Sequence, residues 1–324
     1  MRGEEQQGSR DARVAVVVPS YNHAPYVAAT LRSVFAQTRP PARLLVIDDG
    51  SRDGSARVVE EVLKDCPFPC ELVARANRGL CATLNEGLAE TEGAYFAYLG
   101  SDDLWLPGFL EARVSLLEER RGAVLAYGHA YVIDGGGAVT DCTLDWARYA
   151  EGDARAMLLE ETYAPMSPTV LYRRAAVERH GWNESARLED YELYLKLSAD
   201  GDFAFDPRVL SAWRRHGANA SGDFAWMIEA RLEAQRNAGP HLKLTPEQLE
   251  RHQRALNFAG AEDLLRLGDK RAALRHLRRG LLGAPSAAAL ARVALRLLTP
   301  YSLVERRNRR RQALAAKRYA GLPS

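Results

Sequence analysis

Val14-Ala15-Val16-Val17-Val18-Pro19-Ser20-Tyr21-Asn22 decides the fold. An unbroken apolar run rich in β-branched residues suits a strand buried on both faces. Pro19-Ser20-Tyr21-Asn22 is a turn cluster that ends it. Ala28, Leu31, Val34 and Phe35 then recur at helical spacing, and the strand–helix unit repeats. Residues 44–47 form a second apolar run, ended by Asp48-Asp49-Gly50-Ser51 and followed by Val58, Val59, Val62 and Leu63 on a helix. Leu72-Val73 is a third strand, with Leu80, Leu84 and Leu88 on its helix. Residues 95–99 are a fourth, ended by Ser101-Asp102-Asp103; Pro107 suits the first turn of the helix carrying Phe109, Leu110, Val114 and Leu117. This alternation predicts an α/β fold, Rossmann-like, with a mostly parallel central sheet flanked by helices.

The acids fall where such a sheet binds ligands. Asp48-Asp49 and Asp102-Asp103 each follow the C-terminal end of a predicted strand, the edge at which open α/β sheets hold their substrates. Beyond about residue 123 the pattern changes. A strand over 124–132, a turn at Asp134-Gly135-Gly136-Gly137, a helix near 155–161 and a strand at 169–172 are expected. A helix over 189–199 and two short strands, 203–205 and 209–213, follow. Past Gly222 the chain reads as helical, with breaks at Gly239-Pro240, Gly268-Asp269, Gly283-Ala284-Pro285 and Thr299-Pro300. The expected organisation is a flexible tail over 1–12, a catalytic domain over 13–222 and a helical C-terminal region over 223–324. The domain divides into a nucleotide-sugar half, 13–122, and an acceptor half, 123–222.

Bulk composition narrows the classes. With 324 residues, 47% hydrophobic and 27% charged, the chain can bury a full core and stay soluble. A net charge of +2 gives no field for nucleic acid. The charge is uneven, because residues 300–324 hold seven basic residues against one acid, Glu305. Four cysteines without a CxxC pair fit free thiols in a reducing compartment. The first residues lack a leader's apolar core, and no run approaches the roughly 18 apolar residues that span a bilayer. A cytoplasmic protein, peripheral at the inner face of the membrane through its basic tail, is the expectation.

No Gly-x-Gly-x-x-Gly follows the first strand and no Gly-x4-Gly-Lys-Ser/Thr occurs, which argues against dinucleotide oxidoreductases and P-loop NTPases. A nucleotidyl transferase would need a Gly-rich basic loop after that strand, and it is absent. Phosphates can instead be met by a hard cation held on carboxylates. Residues 17–22, Ile47-Asp48-Asp49-Gly50-Ser51-Arg52-Asp53-Gly54-Ser55 and Leu99-Gly100-Ser101-Asp102-Asp103, with Asn77-Arg78-Gly79 and Asn85-Glu86-Gly87 between them, resemble the family 2 glycosyltransferases of GT-A fold. The resemblance covers roughly residues 13–220.

It implies an inverting enzyme that uses Mn²⁺ or Mg²⁺ to move a sugar from a nucleotide-diphosphate donor, foremost a UDP-sugar, to a glycan or lipid-linked acceptor in surface glycan assembly. It implies that Asp49 accepts a hydrogen bond from the donor's base, that Tyr21 stacks on that base, and that Asp102 meets the ribose. Asp103 would hold the metal, with His216 a further metal candidate. Asp190, in Leu188-Glu189-Asp190-Tyr191, would be the catalytic base. Arg215, in Arg214-Arg215-His216, would lie near the diphosphate. Pro19, Asn22, Asn77, Arg78, Asn85 and Ser101 complete the implied donor site. Many members carry Leu-Asp-x-Asp-Asp; Gly100 replaces the first Asp here, and this leaves open how Asp102 and Asp103 share ribose and metal. It also keeps alive a catalytically silent nucleotide-binding or scaffold protein on the same fold.

The residues themselves add detail. A predicted helix start favours ionised Asp190. His23 and His129 have no motif partners and read as structural, and Trp105 and Trp182 as core. Leu303, Arg306, Arg307, Arg310, Leu314 and Lys317 form a mixed helix face, either solvated or docked on an anionic membrane.

Overall fold

A computed structural model describes residues 13–217 and 223–319. The tail over 1–12, the boundary at 222/223 and the last residues, 320–324, lie outside them. Strand β1 (Val14–Ser20) is central and buried along its whole length. It pairs in parallel with β2 (Arg43–Asp48) and β4 (Tyr95–Tyr98), and β2 pairs with β3 (Cys70–Ala74). Pro19 sits past the last β4 pair at Val17, so its missing N–H leaves the β1–β4 ladder intact. Side chains alternate as the pleat requires. Val14, Val16 and Val18 pack with α1 (Val27–Phe35), α2 (Ser55–Leu63) and α4 (Phe109–Glu119). Ala15 and Val17 pack on the other face with α3 (Leu80–Ala89) and α7 (Glu189–Asp200). Each fully buried Val or Leu in these layers contributes roughly 1.5–3 kcal/mol.

Beyond β4 the sheet is mixed rather than mostly parallel. β8 (Leu171–Arg173) runs antiparallel to β4 and to β6 (Ala123–Asp134). β6 pairs in parallel with β9 (Asp202–Arg215) and antiparallel with β7 (Val139–Cys142). With β5 (Leu104–Trp105) at the edge, strand order is β3-β2-β1-β4-β8-β6-β9-β5, so the two expected halves share one sheet. Three local readings change. The strands expected at 203–205 and 209–213 are one strand, because a register shift between Gly128 and His129 lets Asp206-Pro207-Arg208 bulge out without breaking the ladder. Ser167–Thr169 is a tight 3-10 turn around Pro168, and β8 starts only at Leu171. Leu104–Trp105, expected to lead into a helix, is the edge strand β5, antiparallel to β9.

Arg113 of α4 is buried under β9. Its Nη1 donates to Asp206 Oδ2 at 2.7 Å and its Nε to the Thr169 carbonyl at 3.0 Å. Burial pulls its pKa down to about 10 against the pull of Asp206. Arg113→Ala is expected to lower unfolding free energy by about 3–5 kcal/mol, because it opens a cavity and strips a buried pair of its cation. Urea unfolding checks this, and a loss under about 1 kcal/mol would show that Arg208, also bonded to Asp206, suffices.

The C-terminal region is helical: α8 (Phe224–Ala238), α9 (Pro246–Leu267), α10 (Lys270–Gly280), α11 (Ala287–Leu298) and α12 (Tyr301–Arg318). Each expected break separates two of them. Ala234 and Ala238 of α8 join the core around α7, while Leu232, Leu256, Phe258, Leu264 and Val293 build a separate helical core. The four cysteines are free thiols, and Trp105 and Trp182 are buried.

Candidate active site

β1 and β2 end side by side, with Ser20 paired to Asp48, so the turns that follow share one sheet edge. Asn22, at φ 54°, sits in the left-handed region that Asn tolerates. Its N–H donates to Ser51 Oγ and its Oδ1 accepts from Arg52 N–H, both at 2.9 Å, which ties the two turns together. The third contribution comes through β5. Pairing of Leu104 with Ala212 and Trp105 with Ser211 carries residues 102–103 back to lie opposite 213–214. The end of β9 is thereby delivered to the acidic pair.

Asp103 Oδ1 accepts from the Arg214 backbone N–H at 2.8 Å. Burial, then the neighbouring Asp102, pushes its pKa well above the usual carboxylate range. Asp102 faces the histidines. Its Oδ2 lies 3.0 Å from His216 Nε2, and its Oδ1 3.8 Å from His23 Nδ1. His23 Nδ1 also lies 2.8 Å from Ser101 Oγ. Tyr26 stacks on His216 at 4.7 Å and orients it. Asp103 thus anchors the end of β9, and Asp102 is the acid turned towards the imidazoles. His23 was read as structural; it stands in this cluster because the turn at 19–22 aims it across the sheet edge. His129 is buried against Thr143 Oγ1 at 2.9 Å, a core position. A Cβ at Gly100 would lie 3.1 Å from a carboxylate oxygen of both Asp102 and Asp103. A third acid there would crowd the pair, which gives Gly100 a physical reason.

The donor set fits a divalent cation. Ligand atoms of His23, Asp102 and His216 all lie within 4.8 Å of one another. Burial lowers the pKa of His23 despite the nearby Asp102, favouring the neutral imidazole that can ligate.

Asp49 is buried and already engaged. Its Oδ1 accepts from the Arg78 N–H and its Oδ2 from the Gly79 N–H, each at 2.8 Å, and the Arg75 guanidinium also bonds Oδ1. Asn77 Nδ2 donates to the Asp49 carbonyl at 2.9 Å. Three of about four acceptor positions on the carboxylate are thus used within the protein. Asn77 and Arg78 fold a loop over Asp49, and Gly50 permits its approach: at φ +80°, a Cβ there would sit 2.8 Å from Asn77 N. Asp49→Asn is expected to cost about 2 kcal/mol of stability, since its amide would point N–H groups at N–H groups. Urea unfolding measures this, and an unchanged midpoint would mean the loop does not depend on the carboxylate. Arg75, which also bonds Glu86 Oε2 at 2.8 Å, is a site residue no motif signalled.

The other expected residues divide. Tyr21 is 48% exposed, so its ring is open to stacking. Pro19 and Ser101 are buried, behind the turn and under His23. Asn85 does not face the donor edge: its Nδ2 donates to the Trp182 carbonyl at 2.9 Å and its Oδ1 accepts from Trp182 N–H at 2.8 Å, so it clamps the chain ahead of α7. Arg215 is exposed, and with His216, Asp134, Thr140 and Gln312 it lines a cavity of about 300 Å³ beside the histidines.

Asp190 opens α7. Tyr98, the last residue of β4, lies 3.5 Å from Glu189 Oε1, which places this helix start under the same sheet edge. The helix start was expected to favour ionised Asp190. Burial works the other way and raises its pKa, with Arg231 of α8 partly opposing it. Glu189 is pushed up to about 8 by burial and by Asp190. Arg231 also lies over the Tyr191 ring at 4.8 Å, and no motif pointed to it.

Comparison with known proteins gives the family and the fold. Residues 15–181 match the model of glycosyl transferase family 2. An uncharacterized glycosyltransferase of Nostoc sp. is 28% identical over 170 residues, a match spanning 52% of this chain and 52% of that relative. A mannosyltransferase of Pyrobaculum calidifontis, solved with GDP-Man and Mn²⁺, shares the fold with TM-score 0.61 and 20% identity, over 94% of this chain and 86% of its own. S. aureus TarS 1-349, solved with UDP-GlcNAc, does so with TM-score 0.60 and 16% identity, over 95% and 91%. The α/β sheet with its acids on one edge is the GT-A fold, and the chain, which spans about half the length of that Nostoc relative, belongs to glycosyl transferase family 2.

Proposed function

We propose that this enzyme moves a sugar, with inversion, from a nucleotide-diphosphate donor to an acceptor hydroxyl on a glycan or lipid-linked glycan. The observation that carries the reading is the meeting of Asp102, His216 and His23 at the edge where both nucleotide-side turns converge. A UDP-sugar is the first candidate donor, because one fold neighbour was solved with UDP-GlcNAc; the other was solved with GDP-Man, which makes a guanine donor the alternative.

Asp102, His216 and His23 would hold a divalent cation, and their mixed oxygen and nitrogen donors favour Mn²⁺ over Mg²⁺. When bound, the cation supplies positive charge against the departing diphosphate. Tyr21 offers a face for the base, and the Asp49–Asn77–Arg78 loop walls that side. Arg215, exposed beside His216, faces the diphosphate. The bond from C1 to the diphosphate oxygen breaks as the acceptor oxygen bonds C1 from the opposite face. Asp190 takes the acceptor's proton, and its raised pKa makes it a better base than an exposed carboxylate.

A thermal-shift screen of nucleoside diphosphates and their sugars, with and without Mn²⁺, tests the reading. A ligand that binds only the folded protein raises its melting temperature with affinity and concentration. A rise for one nucleotide family, larger with Mn²⁺, is expected. No shift with any nucleotide in either condition would remove the reading.

A further inference from the structure

The outer face of α11 is apolar. Val293 points inward, and Arg292 and Arg296 reach back to Glu262 at 3.2 and 2.6 Å. Outward are alanines with Leu295 and Leu298, 68% and 81% exposed. The chain turns at Thr299-Pro300, and Tyr301 and Leu303 continue the exposed apolar corner.

The outer face of α12 is basic. Arg306, Arg307, Arg310 and Lys317 lie at i+3, i+4, i+7 and i+14 from Leu303, on one side of the helix. None of the four has an acidic partner among the described residues, whereas Arg309, Arg311 and Arg318 pair with Glu305, Asp141 and Asp145. The inner side of the helix buries Val304 and Ala315 and carries Gln312, which lines the cavity beside Arg215 and His216.

Contiguous exposed leucines mark an interaction surface. Their junction with a row of unpaired cations fits one partner chemistry. We propose that the α11–α12 corner docks on an anionic lipid bilayer, leucines in the interface and cations on the headgroups. A second copy of the chain would bring the same charge against itself. Among the described residues no single helix is long and apolar enough to cross a membrane, and α11 and α12, which pass that test only as a pair, meet at a 107° bend. One consequence rests on the transferase reading. The bilayer would lie about one helix diameter, roughly 10 Å, from the cavity, within reach of a sugar acceptor anchored in lipid.

Co-sedimentation of the full chain with phosphatidylcholine vesicles, with and without about one third phosphatidylglycerol, tests this. The protein is expected to bind only the anionic vesicles. Reversing Arg306, Arg307, Arg310 and Lys317 to Glu should weaken binding about a hundredfold or more. Leu295→Ser with Leu298→Ser should remove the fraction that survives high salt. Circular dichroism melts show whether the variants fold; these positions are exposed, so unchanged melts are expected. Absence of wild-type binding to anionic vesicles, or equal binding by both variants, overturns the proposal. So does recovery of the corner on a soluble acidic protein in place of vesicles. A failed transferase reading shows separately, as vesicle binding without nucleotide stabilisation.

Discussion

Asp102→Ala is expected to lower sugar transfer by about a thousandfold and to remove stabilisation by Mn²⁺, while the metal-free protein melts no lower than wild type. The size follows from loss of charge stabilisation at the leaving group, where single preorganised contacts are worth about a hundred- to a thousandfold. The unchanged metal-free melt follows from repulsion. Asp102 is one of the two causes that raise the pKa of buried Asp103, so removing it relieves a conflict. Asp103→Ala should fail differently. It orphans the Arg214 N–H and loosens the end of β9 that carries His216, costing about 1–3 kcal/mol of stability before any cation is added. Melts of both variants, with chelator and with Mn²⁺, separate the two. If Asp103→Ala alone lost the Mn²⁺ response while Asp102→Ala kept it, the proposal that Asp102 holds the cation would be wrong.

Asp190→Asn is expected to cut kcat by about a hundred- to ten-thousandfold with nucleotide affinity unchanged. In wild type, kcat should rise with pH as Asp190 ionises, through an apparent pKa above that of an exposed carboxylate, because burial raises it. Stability carries the opposite sign. The folded protein holds the Asp190 proton more tightly than the unfolded chain does. Between the unfolded and folded pKa values, stability therefore falls as pH rises. An amide at 190 never ionises, so Asp190→Asn should melt at or above the wild-type temperature at neutral pH. A pH–rate profile and paired melts read both effects. Full transfer rate in Asp190→Asn would move the base elsewhere, and Glu189 would be the first place to look.

The parallel core was legible because β1, β2 and β4 are apolar runs of strand length, too short for helices, and because each ends in polar turn residues. The acids at those ends were legible for the same reason. The antiparallel half was less so. β5 is two residues long, and nothing local distinguishes Leu104-Trp105 from a helix lead-in; only pairing with β9 makes it a strand. That pairing also decides that Asp102, not Asp103, faces His216, which could not be read from adjacent aspartates. His23, Arg75 and Arg231 reach the site through tertiary contacts, with no spacing signal. Asn85 sat inside a motif that reads as donor-binding, yet its amide is consumed by the Trp182 backbone. The raised pKa of Asp190 depends on how deeply α7 is covered, which a helix start alone does not reveal.

The most direct measurement is release of nucleoside diphosphate from a panel of sugar nucleotides, with Mn²⁺ and with chelator, for wild type and Asp102→Ala. Mn²⁺-dependent release from one donor family by wild type, lost in the variant, is expected. Tight nucleotide binding with no release from any donor, in either condition, would contradict catalysis at this site and leave a silent nucleotide-binding protein on the same fold.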